Sequence, residues 1–281
     1  MLNDYYQNIG MKGFIQRYGI VNAVKRGAFM FIKLHLVKDY EVRKIKPYLK
    51  YKDTDVEGLS FPENDVENPI WIYWNKGIEQ APIIVQKCYE SVCKHSNQKI
   101  ILLNDQNLAD YIRLPDYIEK KKDAGQIPMA GYADLMRFAL LEHYGGTWID
   151  STVYLTEPIP DMILNSDFFA VRNSLLLIDN PVLYPAWFLH AKKGNKTIRE
   201  IRNVAFAYWL KNEHVIEYLL PNLIITLVVK SNPEVEKAIP YMNSDYSEYL
   251  VKVLADDYSE EKWNWIKKLT GIHKLTYKLS P

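Results

Sequence analysis

The chain has 281 residues, with 35 Lys and Arg against 34 Asp and Glu, 48% apolar residues, 12 Gly and 14 Pro. That composition excludes disordered, collagen-like and low-complexity classes and provides a core for one large domain or two small ones. A net charge of +1 gives no general attraction for a phosphate backbone, so nucleic acid is not an expected partner.

Charge is unevenly placed. Residues 1–52 hold eleven basic against three acidic side chains, net +8, and the remainder is net −7. Within this stretch Phe14, Tyr18, Val21, Val24, Ala28 and Ile32 recur at three- and four-residue steps between Lys and Arg, the pattern of an amphipathic cationic helical arm. The apolar run 27–37 contains Lys33 and is far short of the roughly 20 residues needed to span a bilayer. MLNDYYQNIG has no basic region followed by a cleavable apolar stretch, so it does not read as a secretory signal and a cytoplasmic chain is expected. Residues 53–69 are acidic, carry Gly58, Pro62 and Pro69, show no period, and read as a connector.

The main domain is assigned to 70–281. An apolar strand is predicted over 70–74, a helix opened by Pro82 over 82–94, and a strand over 99–103, the start of a βαβ unit. Cys88 and Cys93 fall in that helix and are expected to be buried reduced thiols without a disulfide. Short helices are predicted over 107–112 and 116–121, then a longer one over 128–144 with Pro128 at its first turn and Gly145-Gly146 at its end. A strand follows over 147–153. Residues 168–172 read as a further strand, 181–193 and 196–212 as helices, and 224–229 as an apolar run of either kind. The sum is an α/β fold with a mixed sheet.

Several chemistries are excluded by missing motifs. No GxGxxG follows a strand, and neither GxxxxGK(S/T) nor GxSxG occurs, which removes classical dinucleotide, Walker and hydrolase-elbow sites. The six His are scattered without HxxxH or HExxH pairing, against a zinc enzyme. The segment GYADLMRFALLEHYGGTWIDSTVYLTEPI, residues 131–159, is the informative one. Asp134 and Arg137 share a helix face. Alone, such a surface pair is worth only about 0 to 1 kcal/mol. The double glycine lets the chain turn into a strand whose centre holds Asp150, with Thr152 two residues on and on the same face. An acid among Trp148, Ile149 and Val153 serves packing poorly, so the whole constellation asks for a function.

On these residues the segment resembles the donor-site signature of the family 32 glycosyltransferases and the bacterial capsular polysaccharide synthesis proteins, roughly (S/A)DxxRxxxLxxxGGxxxDxD. Asp134, Arg137, Leu141, Gly145, Gly146 and Asp150 fall on it, and WIYWNKG, residues 71–77, resembles that family's first strand. The likeness covers residues 70–157. The large clostridial glucosylating toxins share the same D-x-x-R and D-x-D spacing. The resemblance implies a GT-A fold, Rossmann-like with a mixed central sheet flanked by helices, here carrying an N-terminal helical arm. It also implies a hexosyltransferase that retains the anomeric configuration and needs no strong general base.

A nucleotide-sugar donor leaves as a diphosphate, whose charge must be met by a hard divalent cation or by fixed positive groups. The resemblance implies Mn²⁺ or Mg²⁺ on Asp150. Where the pattern has the second Asp of D-x-D, this chain has Thr152 after Ser151, a neutral and weaker ligand. Asp134, Arg137 and Asp150 are implied as catalytic, with Asp134 and Arg137 bonding the donor sugar and phosphate and Ser151 and Thr152 beside them. Trp74 is expected to stack on the uracil, next to Asn75, or else to be a core aromatic. Asn104, Asp105 and Asn107 are expected at the base or ribose. In the basic segment 263–278, His273 is expected to ligate metal or bond phosphate and Lys274 to neutralise the leaving group; the alternative is a solvated tail. Acceptor contacts are expected from 179–222, through Trp187, Tyr208, Trp209 and residues 212–214.

The partners implied are a UDP-sugar donor and a lipid-linked oligosaccharide acceptor in capsule or exopolysaccharide synthesis. The cationic arm would then hold a peripheral cytoplasmic enzyme to the inner-leaflet membrane surface. Alternatively it packs on the catalytic domain or on a second subunit in a homodimer. Two other readings stand beside the enzyme: a non-catalytic sugar- or nucleotide-binding subunit with a degenerate metal site, and a membrane-surface scaffold.

Overall fold

The computed structural model describes residues 38–173, 182–216, 218–256 and 258–277. The chain divides into two compact units, 1–47 and 48–281. Of the arm expected over 1–52, residues 1–37 lie outside the described residues. From there helix α1 (Lys38–Ile45) is followed by a 3-10 helix over Lys46–Tyr51. The connector 53–69 contains no helix or strand beyond a bridge between Ser60 and Arg113, as its Gly and Pro content demands.

The larger unit is mixed α/β, the architecture expected. Strand β1 (Ile70–Tyr73), helix α2 (Ile83–His95) and strand β2 (Ile100–Leu103) form the predicted βαβ unit, β1 and β2 pairing in parallel from Ile70 with Ile100 to Tyr73 with Leu103. After helix α3 (Asp116–Asp123), helix α4 (Met129–Tyr144) is apolar on most of its circumference and deeply buried. It ends where Gly145 donates its N–H to the Leu141 carbonyl, and strand β3 (Gly146–Ile149) follows at once.

Both glycines are required. Gly145 and Gly146 have φ of +73° and +95°, a region costly for L side chains. A Cβ on Gly145 would meet Asn68 Oδ1 and lie 2.7 Å from the Lys193 nitrogen, and one on Gly146 would strike the Pro69 carbonyl. The end of the connector thus runs against the turn, with Asn68 N–H on the Tyr144 carbonyl (3.1 Å) and Thr147 N–H on the Pro69 carbonyl (2.9 Å). This close approach sets β3 parallel to β1, Ile70 opposite Thr147.

Strand β4 (Val153–Leu155), helix α5 (Asp161–Leu164), strand β5 (Phe168–Ala170) and strand β6 (Phe188–Ala191) follow. The central sheet runs β2-β1-β3-β6-β5, the last two strands antiparallel to their neighbours. Helices α6 (Lys196–Lys211) and α7 (Leu220–Lys230) come next, and α6 packs on both α4 and α7. Helices α8 (Pro233–Ala238), α9 (Ser244–Ser247), α10 (Tyr249–Asp256) and α11 (Glu260–Ile266) lead to strand β7 (Ile272–Lys274), which pairs with β4 in a separate two-stranded sheet.

Four expectations are corrected and one open reading is decided. The strand expected over 147–153 breaks after Ile149: Asp150 donates its N–H to the Trp187 carbonyl and accepts from Val153 N–H, so 150–152 form a turn and Asp150 stands at a strand end rather than mid-strand. The helix expected over 181–193 is, among the described residues, an irregular segment and then β6, because Pro185 interrupts it and the aromatic run finds partners on both β3 and β5. The helix over 107–112 shrinks to one 3-10 turn, Leu108–Asp110, and the ambiguous run 224–229 is helical. Cys88 is buried and free, whereas Cys93 is free but exposed.

Candidate functional site

The chain leaves β1 toward β2 on one side and reaches β3 on the other. The carboxyl ends of β1 and β3 therefore flank a topological switch point, the place where open α/β sheets bind their ligands. Trp74 and Asn75 follow β1 there, and Asp150 follows β3.

Four charged side chains, Asp134, Arg137, Asp150 and Lys274, meet at the end of β3. Arg137, on α4, has only 6% of its side chain exposed. One of its terminal nitrogens lies 3.0 Å from Asp150 and 3.2 Å from Asp134, while the other donates to the Ala186 carbonyl just before β6. Its guanidinium also lies over the Trp148 ring, 4.9 Å from the centroid. Asp150 Oδ1 accepts a further hydrogen bond from Trp148 Nε1 at 3.1 Å. The other oxygen, Oδ2, accepts from Lys274 Nζ at 3.0 Å, and the same ammonium donates to Thr152 Oγ1 at 2.7 Å. Lys274 is not a floating tail residue. β7 is zipped to β4 with Lys274 opposite Val153, and Leu275 N–H bonds the Thr152 carbonyl at 2.8 Å.

The two acids respond oppositely. Burial opposes ionisation of Asp150, but Lys274 and then Arg137, with the Trp148 N–H, outweigh it and hold the carboxyl below its usual range. Burial pushes Asp134 up to about 7; Arg137 opposes this and the Asp150 charge reinforces it. One guanidinium shared between two carboxylates satisfies the acid that also has Lys274.

Other sequence candidates land in different places. Trp74 is half-buried, and its ring makes an edge contact with Tyr277, 5.4 Å between centroids. The chain from Lys274 to Tyr277 thus spans from the Asp150 cluster to Trp74. Asn75 uses its carbonyl to hold Asp105 N–H (3.0 Å), and Asp105 Oδ1 accepts from Tyr73 Oη (2.6 Å). Asn104 and Asn107 cap each other's backbone, which commits both side-chain oxygens to the loop. Ser151 is half-buried in the turn.

The structure does not bring His273 to Asp150. As the neighbour of Lys274 in a strand it points to the opposite face, where its Nε2 lies 3.1 Å from Thr156 Oγ1 and its ring packs beside Trp263. Burial pulls its pKa down to about 4, leaving it neutral. Of the acceptor candidates, Trp187, Tyr208 and Trp209 are buried, and Tyr208 Oη is spent on the His214 carbonyl and Ile216 N–H. Trp148 and Tyr277 belong to the site and carried no signal in the sequence beyond nearness to Asp150 or Lys274, and the Ala186 carbonyl, which bonds Arg137, carried none.

A divalent cation does not fit the residues present. Hard ions of this kind want several free oxygen donors in an octahedron. Both Asp150 oxygens and the Thr152 hydroxyl already face cationic or N–H donors, His273 is on the wrong face, and no cluster of three His, Cys, Asp or Glu that could hold a metal occurs among the described residues.

No curated protein sequence matches the chain. Among solved structures it is similar to one described as PaToxG Glycosyltransferase, at 13% identity and TM-score 0.43, over 84% of this chain and 95% of that one. It is also similar to the apo form of the glycosyltransferase GlyE of Streptococcus pneumoniae TIGR4, at 14% identity and TM-score 0.43, over 76% of this chain and 55% of that one. The family comparison reaches further, matching residues 30–281 and so the entire cluster from Trp74 to Lys274: the chain belongs to the family of capsular polysaccharide synthesis proteins.

Proposed function

We propose that the chain is a glycosyltransferase of GT-A-like fold that moves a hexose from a UDP-sugar to a lipid-linked oligosaccharide in capsule or exopolysaccharide synthesis. The observation that carries this reading is the switch point itself, with an aromatic, Trp74, after β1 and a part-buried Arg137–Asp150–Lys274 ion cluster at the end of β3. Family membership supports the polysaccharide context.

In this reading the uracil stacks on Trp74 and the diphosphate lies against Arg137 and Lys274. Fixed positive groups in a partly dry site stabilise the charge that grows as the glycosidic bond to phosphate breaks. Asp150 orients both cations through its two oxygens, and Asp134 faces the sugar hydroxyls. A retaining transfer takes the acceptor proton on the departing phosphate oxygen, so no carboxylate is assigned as general base. The basic arm, with its excess of eight positive charges over 1–52, suits an anionic inner-leaflet surface where a lipid-linked acceptor resides. Among the described residues no helix is long and apolar enough to cross a membrane.

UDP release from a panel of UDP-hexoses, with and without a polyprenyl-diphosphate oligosaccharide, tests the proposal. Acceptor-stimulated release that vanishes in Asp150→Ala is expected. Nucleotide binding without turnover in the presence of acceptor would favour a non-catalytic binding subunit instead.

A further inference from the structure

The ammonium of Lys274 occupies the position between Asp150 and Thr152 where a metal-binding acid pair would hold its ion. Its placement is a property of the fold, since the β4–β7 register puts residue 274 opposite Val153, next to the 150–152 turn. An ion drawn to Asp150 Oδ2 would meet a fixed positive charge 3.0 Å from that oxygen. The charge balance is nevertheless preserved. Two carboxylates around a divalent ion sum to zero, and so do Asp150, neutral Thr152 and one ammonium; the loss of one acid is matched by the loss of one positive charge.

The ammonium is also able to act on a ligand. Lys carries three N–H donors, two of which point to Asp150 and Thr152. Its side chain is 23% exposed, so the ammonium is not sealed from solvent and keeps a donor for a ligand. Arg137 stands behind it as a second fixed cation.

We propose that this site holds a nucleoside diphosphate without a metal ion, Lys274 taking the place of the divalent cation. The inference rests on the donor-site reading above and specifies its chemistry. It needs no step that differs from a metal-assisted transfer: the bond between sugar and phosphate breaks with its electron pair staying on the diphosphate, the acceptor oxygen bonds the anomeric carbon and gives its proton to the departing phosphate oxygen, and the neutralising charge comes from the side chain.

The test is calorimetric titration of the full chain with UDP in excess EDTA, then with Mn²⁺ or Mg²⁺. Wild type is expected to bind with the same affinity in all three conditions. Lys274→Ala is expected to lose at least about tenfold, and Lys274→Arg to retain part of the affinity, as removal and retention of a charged donor require. The double variant Thr152→Asp/Lys274→Ala exchanges the ammonium for a second carboxylate and is expected to bind UDP only with metal. Electron paramagnetic resonance of Mn²⁺ added to the protein alone gives a separate readout: wild type leaves the ion free, and the double variant takes it up.

Wild-type binding that disappears in EDTA and returns with Mn²⁺ would overturn this inference and leave the donor site standing. Undiminished binding by a folded Lys274→Ala would overturn it equally. Failure of wild type to bind UDP in any condition would overturn the donor reading itself, and this inference with it.

Discussion

Replacing Asp150 by Asn keeps the shape of the side chain and removes its charge. In the native cluster its carboxylate accepts from Arg137, Trp148 and Lys274 at 3.0, 3.1 and 3.0 Å. An amide turns an N–H₂ toward one of two cations, leaving Lys274 with Thr152 alone or Arg137 with Asp134 and the Ala186 carbonyl. Hydrogen bonds to charged groups are worth about 1.5–3 kcal/mol each. Because Asp150 and Lys274 are 27% and 23% exposed, water recovers part of that loss, and a total near 2–3 kcal/mol is expected. For a chain of this size that lowers Tm by about 4–12 °C. The carboxyl titrates below its usual range in the folded state, so its contribution is present above the unfolded value, about 3.9, and is lost as pH falls through the lower folded value. Thermal unfolding followed by circular dichroism should therefore show a wide gap between wild type and D150N at neutral pH that closes only in strong acid. A gap under about 1 °C at neutral pH would refute the claim that this cluster is a tightly coupled unit.

Other consequences are as direct. Gly146→Ala forces a Cβ into the Pro69 carbonyl and should cost about 2–4 kcal/mol, read as a loss of denaturation midpoint, whereas Gly125→Ala, also at positive φ but in open space, should cost only about 1 kcal/mol. Asp134 is pushed up to about 7 in the fold, so between the unfolded value and about 7 the unfolded chain loses this proton while the native state keeps it, and stability falls as pH rises. Denaturant unfolding of Asp134→Asn should lack that loss, its advantage over wild type growing from acid to neutral pH. Cys93 is exposed, while burial pushes Cys88 up to about 12, so a thiol reagent should label one cysteine quickly and the second only on unfolding.

Much of the scaffold was legible because it follows local rules. The βαβ start, the 16-residue α4 and its double-glycine end are set by apolar period, Pro128 and the two positive-φ glycines. The region around Pro185 misled because its helical spacing was overruled by strand pairing on both edges of β6. In the site, Asp134, Arg137 and Asp150 were legible as a motif, and the structure brings them together. Asp150's position at a strand end was not, since it depends on the Trp187 carbonyl 37 residues away capturing its N–H. Nor could sequence separate His273 from Lys274: only the β4–β7 register decides that Lys274 faces Asp150 and His273 faces Thr156.

The central claim is that the switch point flanked by Trp74 and Lys274 is the nucleotide site, and a crystal structure of the chain with UDP tests it most directly. The account predicts the uracil against Trp74 and the diphosphate within hydrogen-bond distance of Lys274. Nucleotide bound elsewhere, for example in the groove of about 910 Å³ lined by Glu157, Tyr241, Lys267 and Gly271, with the Asp150 cluster untouched, would contradict it.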